Sequence, residues 1–168
     1  MSDNKIIDIV IADKSPLVQE GMAQLIEQEE RFSLVAIAAD GERFIEAVNR
    51  LLFDVGVIGW DMPYMGGHEV LQALRKRQKM PRLVVYTGNP SPQVPRLVMQ
   101  LGGAGFCLKR EPPQRLVETI SAVAEGRMVF PFMDLSQPSA NPFSCLTGRE
   151  QELLAALAQG NSNAQIAS

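Results

Sequence analysis

Cysteine and histidine are scarce, with two of the first and one of the second in 168 residues, and that scarcity removes several chemistries at once. Cys107 and Cys145 stand far apart and belong to no Cys-x-x-Cys or Cys/His cluster, so neither a zinc site nor a disulfide framework is expected, and a reducing cytoplasmic setting fits. An excess of one charge is also missing. Sixteen basic against 19 acidic side chains leave a net charge of −3, which gives no global pull toward nucleic acid or an anionic membrane. Any DNA contact must therefore be local. No apolar run reaches membrane-spanning length, and the opening Met-Ser-Asp-Asn-Lys lacks the succession of a secretory signal, so no membrane partner is expected.

What is present is a chain 46% hydrophobic, enough to bury one full core with something smaller appended. Short apolar runs rich in β-branched residues recur at 6–12, 34–38, 55–58, 83–86 and 105–108 and predict five strands. Between and after them, apolar residues fall at helical spacing. These are Leu17, Met22, Leu25 and Ile26; Phe44, Val48 and Leu51; Val70, Leu71 and Leu74; Leu97, Val98 and Leu101; and Leu116, Ile120 and Val123. Nearly continuous apolar strands alternating with helices predict an α/β, doubly wound parallel sheet covered on both faces. Ser15-Pro16 supplies an N-cap and a first-turn proline after the first strand. Pro90, Pro92 and Pro95 predict a late or irregular start to the fourth helix.

The first domain is expected over 1–130. Residues 131–144 have linker composition. Two capping boxes, Thr147 with Glu150 and Ser162 with Gln165, open two short helices across Gly160 and predict the start of a helix-turn-helix unit over 145–168.

In an open parallel sheet, functional groups gather beyond the carboxyl ends of the strands. Those ends read Ala12-Asp13-Lys14-Ser15-Pro16, Ile58-Gly59-Trp60-Asp61-Met62-Pro63, Tyr86-Thr87-Gly88 and Leu108-Lys109-Arg110. A carboxylate, a hydroxyl and a lysine should converge there. With Pro16-Leu-Val-Gln-Glu-Gly21, Ala39-Asp-Gly41, Met62-Pro-Tyr-Met-Gly-Gly67 and Gly102-Gly-Ala-Gly-Phe-Cys-Leu-Lys109, the ordered series resembles the receiver domain of two-component response regulators. The run from Leu146 to Leu154, with Ala158 to Ala167, resembles the first half of a LuxR-type DNA-binding domain, which points to the NarL/FixJ class. The resemblance implies a flavodoxin-like strand order 2-1-3-4-5. It also implies an acidic pair after strand one, a phosphoryl-accepting aspartate after strand three, a switch hydroxyl at Thr87 and a phosphate-contacting lysine at Lys109.

Two positions depart from that pattern. Alignment through Asp54 and Met62-Pro63 puts Gly59 where the acceptor aspartate stands, and glycine offers no nucleophile. Lys14 replaces the second member of the acidic pair, and magnesium, which needs a nearly octahedral set of oxygens, is expected to bind weakly or not at all. Lys14 itself is a candidate to fill the cation's place by pairing with Asp13 or Asp61. The retained Thr87 and Lys109 have two readings: with Lys14 and the space at Gly59 they form a pocket for a small anion, or they satisfy Asp13 and cap strand ends. The second is the plainer. Asp61 is a candidate displaced acceptor, more simply a solvated loop carboxylate. Trp60 is expected to pack under its loop, His68 to lie exposed on a helix, the basic run 75–79 to be a solvated helix end, and Cys107 to be a buried small hydrophobe.

The expectation is a non-enzymatic transcription regulator whose receiver is not switched by phosphorylation, forming a homodimer through the first and fifth helices, as the resemblance implies. DNA reading would require a recognition helix after Ser168. The alternative is a stand-alone module that binds a partner protein or a small ligand without touching DNA. Leu153, Leu154, Leu157 and Ile166 would then need cover from the receiver or a second chain.

Overall fold

The computed structural model describes residues 5–131, which lie within one compact unit. Along the chain run β1 (Ile7–Ala12), α1 (Pro16–Glu27), β2 (Phe32–Ala38), α2 (Gly41–Arg50) and β3 (Val55–Ile58). They are followed by α3 (Gly67–Arg75), β4 (Arg82–Thr87), α4 (Gln93–Gln100), β5 (Gly105–Leu108) and α5 (Pro113–Ala124). The strands form a parallel sheet in the order β2-β1-β3-β4-β5, the doubly wound arrangement expected. The proposed linker after Pro131 and the helix-turn-helix segment, including Cys145, lie outside the described residues.

Burial explains why these runs are strands. Every residue of β3 is buried, as are Ile9 to Ala12 of β1 and Leu83 to Val85 of β4, because helices cover both faces. On one face Ile7, Ile9 and Ile11 meet Met22 and Ile26 of α1 and Leu116, Ile120 and Val123 of α5. The other face buries Phe44, Val70, Leu71 and Leu74. No helix among the described residues is long and apolar enough to cross a membrane.

Several details differ from the sequence reading. β2 starts at Phe32, and its register slips between Ile9 and Val10, so Leu34 and Ala36 oppose consecutive β1 residues. Leu17 is not core-facing but 82% exposed. It lies five positions before Met22, about 140° round the helix, off the buried stripe. Leu51 caps α2 rather than extending it and is exposed. Pro95 sits buried at the third position of α4, where it costs no intrahelical bond because the first four amides of a helix have no partner within it.

Candidate functional site

Parallel pairing brings the carboxyl ends of β1, β3, β4 and β5 to one edge of the sheet. Asp13 stands there, 1% exposed, its backbone N–H donating to Ala38 O at 3.1 Å. Its carboxylate is held on both oxygens. Oδ2 lies 2.8 Å from Lys109 Nζ, and Oδ1 accepts the Ser15 N–H at 2.9 Å. Gln19 Nε2, one turn into α1, donates to the Asp13 carbonyl at 2.6 Å. The N-cap is Ser15, whose Oγ accepts from Val18 N–H at 3.4 Å.

Lys109 is positioned by its own N–H, which donates to Thr87 O at 2.8 Å. Its ammonium lies 6.0 Å from the Tyr86 ring centroid. Thr87 is buried, and its Oγ1 accepts from Asn89 N–H at 3.1 Å, capping the turn that leaves β4. Lys14 is exposed and makes no ion pair among the described residues. The suggestion that Lys14 pairs with Asp13 is corrected: Lys109 makes that pair, as the plainer reading of Lys109 expected. Lys14 sits in the bend between β1 and α1, where the Ser15 N–H turns back onto Asp13 Oδ1, and its side chain faces water. Asp61 is exposed as well.

Gly59 donates its N–H to Ala12 O at 2.9 Å. A Cβ there would lie 3.1 Å from Asp13 Oδ2 and 3.4 Å from Met62 Cγ, so the position faces the Asp13 carboxylate directly. The loop beyond it is tied down by two close approaches: Gly67 N–H to Trp60 O at 2.9 Å and Gly41 N–H to Met65 O at 3.0 Å. Trp60 is buried under this loop, and its ring meets His68 edge-on at 5.9 Å, which leaves His68 half-buried rather than exposed as expected. Arg75 to Lys79 are all exposed. Cys107 is buried, and burial, then the Glu111 carboxylate, push its thiol up to about 12.

The donor set fits a divalent cation poorly. Magnesium prefers several oxygens in octahedral array, with carboxylates to balance its charge. Here one buried carboxylate is already bonded to an ammonium, Gly59 supplies no oxygen from a side chain, and Asp61 points to solvent. Among the described residues no three His, Cys, Asp or Glu side chains gather as a metal would need. Thus the structure brings Asp13, Thr87, Lys109 and Gly59 together and leaves Lys14 and Asp61 outside. The sequence reading missed Gln19, Met62 and Tyr86. For Tyr86 the signal was available, since it directly precedes Thr87 at the end of a strand.

A doubly wound sheet in this order, with an aspartate after β1, a hydroxyl after β4 and a lysine after β5 meeting at one edge, is the framework of a signal receiver domain. Comparisons with known proteins agree. The response regulator receiver domain family matches residues 9–121. SgaR of Hyphomicrobium methylovorum, described as a probable transcriptional regulatory protein, is 39% identical over 161 residues, covering 96% of this chain and 76% of its own. The nitrate/nitrite response regulator NarP of Escherichia coli is 34% identical over 168 residues, covering 95% and 78%. Among solved structures, a LuxR-family two-component response regulator from Aurantimonas sp. superposes with a TM-score of 0.69 at 27% identity, covering 74% of this chain and 89% of that one. The chain belongs to the response regulator receiver family, and its relatives are of the NarL/LuxR type.

Proposed function

We propose that this chain is a response-regulator transcription factor whose receiver is degenerate and works without phosphorylation at the usual position. The observation that carries this reading is the pairing of Gly59 with a pre-neutralised Asp13. Phosphoryl transfer needs a nucleophile in line with the donor and a cation on the equatorial oxygens. The first is replaced by a hydrogen atom. The second lacks its oxygens: Lys14 stands where a second carboxylate would, and Asp13, the one buried carboxylate, is paired with Lys109 at 2.8 Å. Transcriptional regulation is supported by the relatives' descriptions and by the LuxR-like sequence over 145–168. DNA recognition belongs to that domain. The regulator acts as a homodimer through α1 and α5, as the resemblance implies, and Leu17 projects from α1 at 82% exposure.

Trp60, next to Gly59 and buried, reports on the site by its fluorescence. Millimolar magnesium should produce no saturable change in the natural chain. A Gly59→Asp, Lys14→Asp double variant, with a carboxylate trio restored, should respond. A saturable magnesium response in the natural chain contradicts the proposal.

A further inference from the structure

Crossover helices return the chain to the edge from which parallel strands start, so α2 and α3 both end at the amino edge of the sheet, opposite the edge that holds Asp13. A cluster of cations collects there. Arg50 closes α2, Arg75 closes α3, Lys76, Arg77 and Lys79 follow in the turn, and Arg82 opens β4. All six are exposed, and no acidic residue stands between Leu74 and Leu83. Lys5 and Arg127, which flank the same edge, are paired with Asp54 and Glu125; none of the six makes an ion pair among the described residues.

Helix dipoles explain only a small part of this cluster. Each helix C-terminus carries about half a negative charge, so α2 and α3 together balance about one of the six positive charges. Arg77 is moreover held in place without being neutralised. Its Nη1 donates to Asn49 Oδ1 at 2.6 Å, which ties the end of α3 to the end of α2, and an amide oxygen leaves the guanidinium its full charge. Three residues beyond Asn49, in the segment leading into β3, Leu52 stands 96% exposed.

We propose that this edge is a docking surface for an acidic segment of a partner protein that carries an apolar side chain among its carboxylates. Charge complementarity argues for the acidic character. The six cations are more than a third of the chain's 16 basic residues, and the other ten face 19 acidic ones, so an acidic segment is repelled by the rest of the chain and drawn to this edge. Leu52 argues for a peptide over a nucleic-acid backbone, because phosphates attract cations but give an exposed leucine nothing to pack on. The core helices α1 and α5 cover the opposite face of the sheet from α2 and α3, so a dimer formed through α1 and α5 leaves the surface open on both copies. The inference stands apart from the reading of Gly59.

The test measures fluorescence anisotropy of labelled probes on the full chain at low salt. The probes are a peptide of glutamate pairs alternating with leucine, an oligoglutamate of equal length and a short DNA duplex. The leucine peptide should bind most tightly, and added salt should weaken it. Arg77→Glu should weaken it about tenfold, while Arg110→Glu, the same charge change at an exposed position on the opposite edge, should leave it nearly unchanged. Leu52→Ser should weaken the leucine peptide about tenfold and leave oligoglutamate unaffected. The proposal is overturned if the leucine peptide fails to bind, if oligoglutamate binds as well, or if Arg110→Glu costs as much as Arg77→Glu. A DNA duplex bound more tightly than the peptide and released by Arg77→Glu would overturn it in favour of a phosphate backbone. Self-association of the chain alone that Arg77→Glu abolishes would overturn it in favour of a second copy.

Discussion

Asp13 and Lys109 form an ion pair whose two ends sit in different environments, and the asymmetry sets what mutation will do. The Asp13 side chain is 2% exposed and the Lys109 side chain 29%. Removing the lysine strands a buried carboxylate; removing the carboxylate leaves an ammonium that can reach water. Lys109→Met should therefore lower unfolding free energy by about 2–3 kcal/mol, somewhat less than a fully buried pair would cost. Asp13→Asn, which keeps an acceptor for the Ser15 amide, should cost only about 1 kcal/mol. Urea denaturation of the two variants checks the order, and equal losses would contradict it. Cys107 makes a second residue-scale prediction. Its protonated thiol is favoured in the fold, so its contribution to stability is intact below pH 9 and falls as pH rises from 9 toward 12, where the folded thiol titrates. Cys107→Ala should flatten that alkaline loss, and a thiol reagent at neutral pH should label Cys107 only on unfolding. The sequence showed which residues would meet at this edge, because strand ends in a parallel sheet converge. It named Lys109 as the partner of Asp13 in its plainer reading but left Lys14 as a second candidate. That choice depends on side-chain direction at the end of β1, which a list of residue types does not contain.

The helices and loops show where pattern reading succeeds and where it stops. Apolar spacing located all five helices of the described residues, because a covered sheet demands a buried stripe on each. It misplaced Leu17 and Leu51, since an apolar residue near a stripe reads like one within it. Glycine is the clearest case of information held only in three dimensions. Gly21 and Gly41 both belong to helices, yet a Cβ at Gly21 meets nothing within 4 Å, while one at Gly41 would fall 2.1 Å from Met65 O. Gly41 must stay bare because the β3–α3 loop docks on it. Gly21→Ala should raise stability by about 0.5–1 kcal/mol through helix propensity. Gly41→Ala should lower it by about 1–3 kcal/mol and loosen the loop over Trp60, visible as a red shift of the Trp60 emission. Thermal unfolding of the pair should give opposite signs; a common sign would refute this account of the loop.

At the scale of the molecule, the doubly wound architecture was legible because alternation of strand and helix leaves few other solutions, and the strand order followed from resemblance. The residual question is how such a molecule receives its input. Leu17, projecting from α1, should stabilise a dimer: Leu17→Glu should shift sedimentation toward monomer without changing the unfolding midpoint of the receiver. A dimer that survives Leu17→Glu would move the interface elsewhere. The central claim is that Gly59 and Lys14 together disable phosphoryl transfer at an otherwise intact receiver edge. Intact mass after incubation with acetyl phosphate and magnesium measures this directly, with the natural chain beside the Gly59→Asp, Lys14→Asp double variant. The account predicts no added phosphoryl mass on the natural chain and labelling of the variant. Labelling of the natural chain would contradict it and direct attention to Asp61 or Asp13.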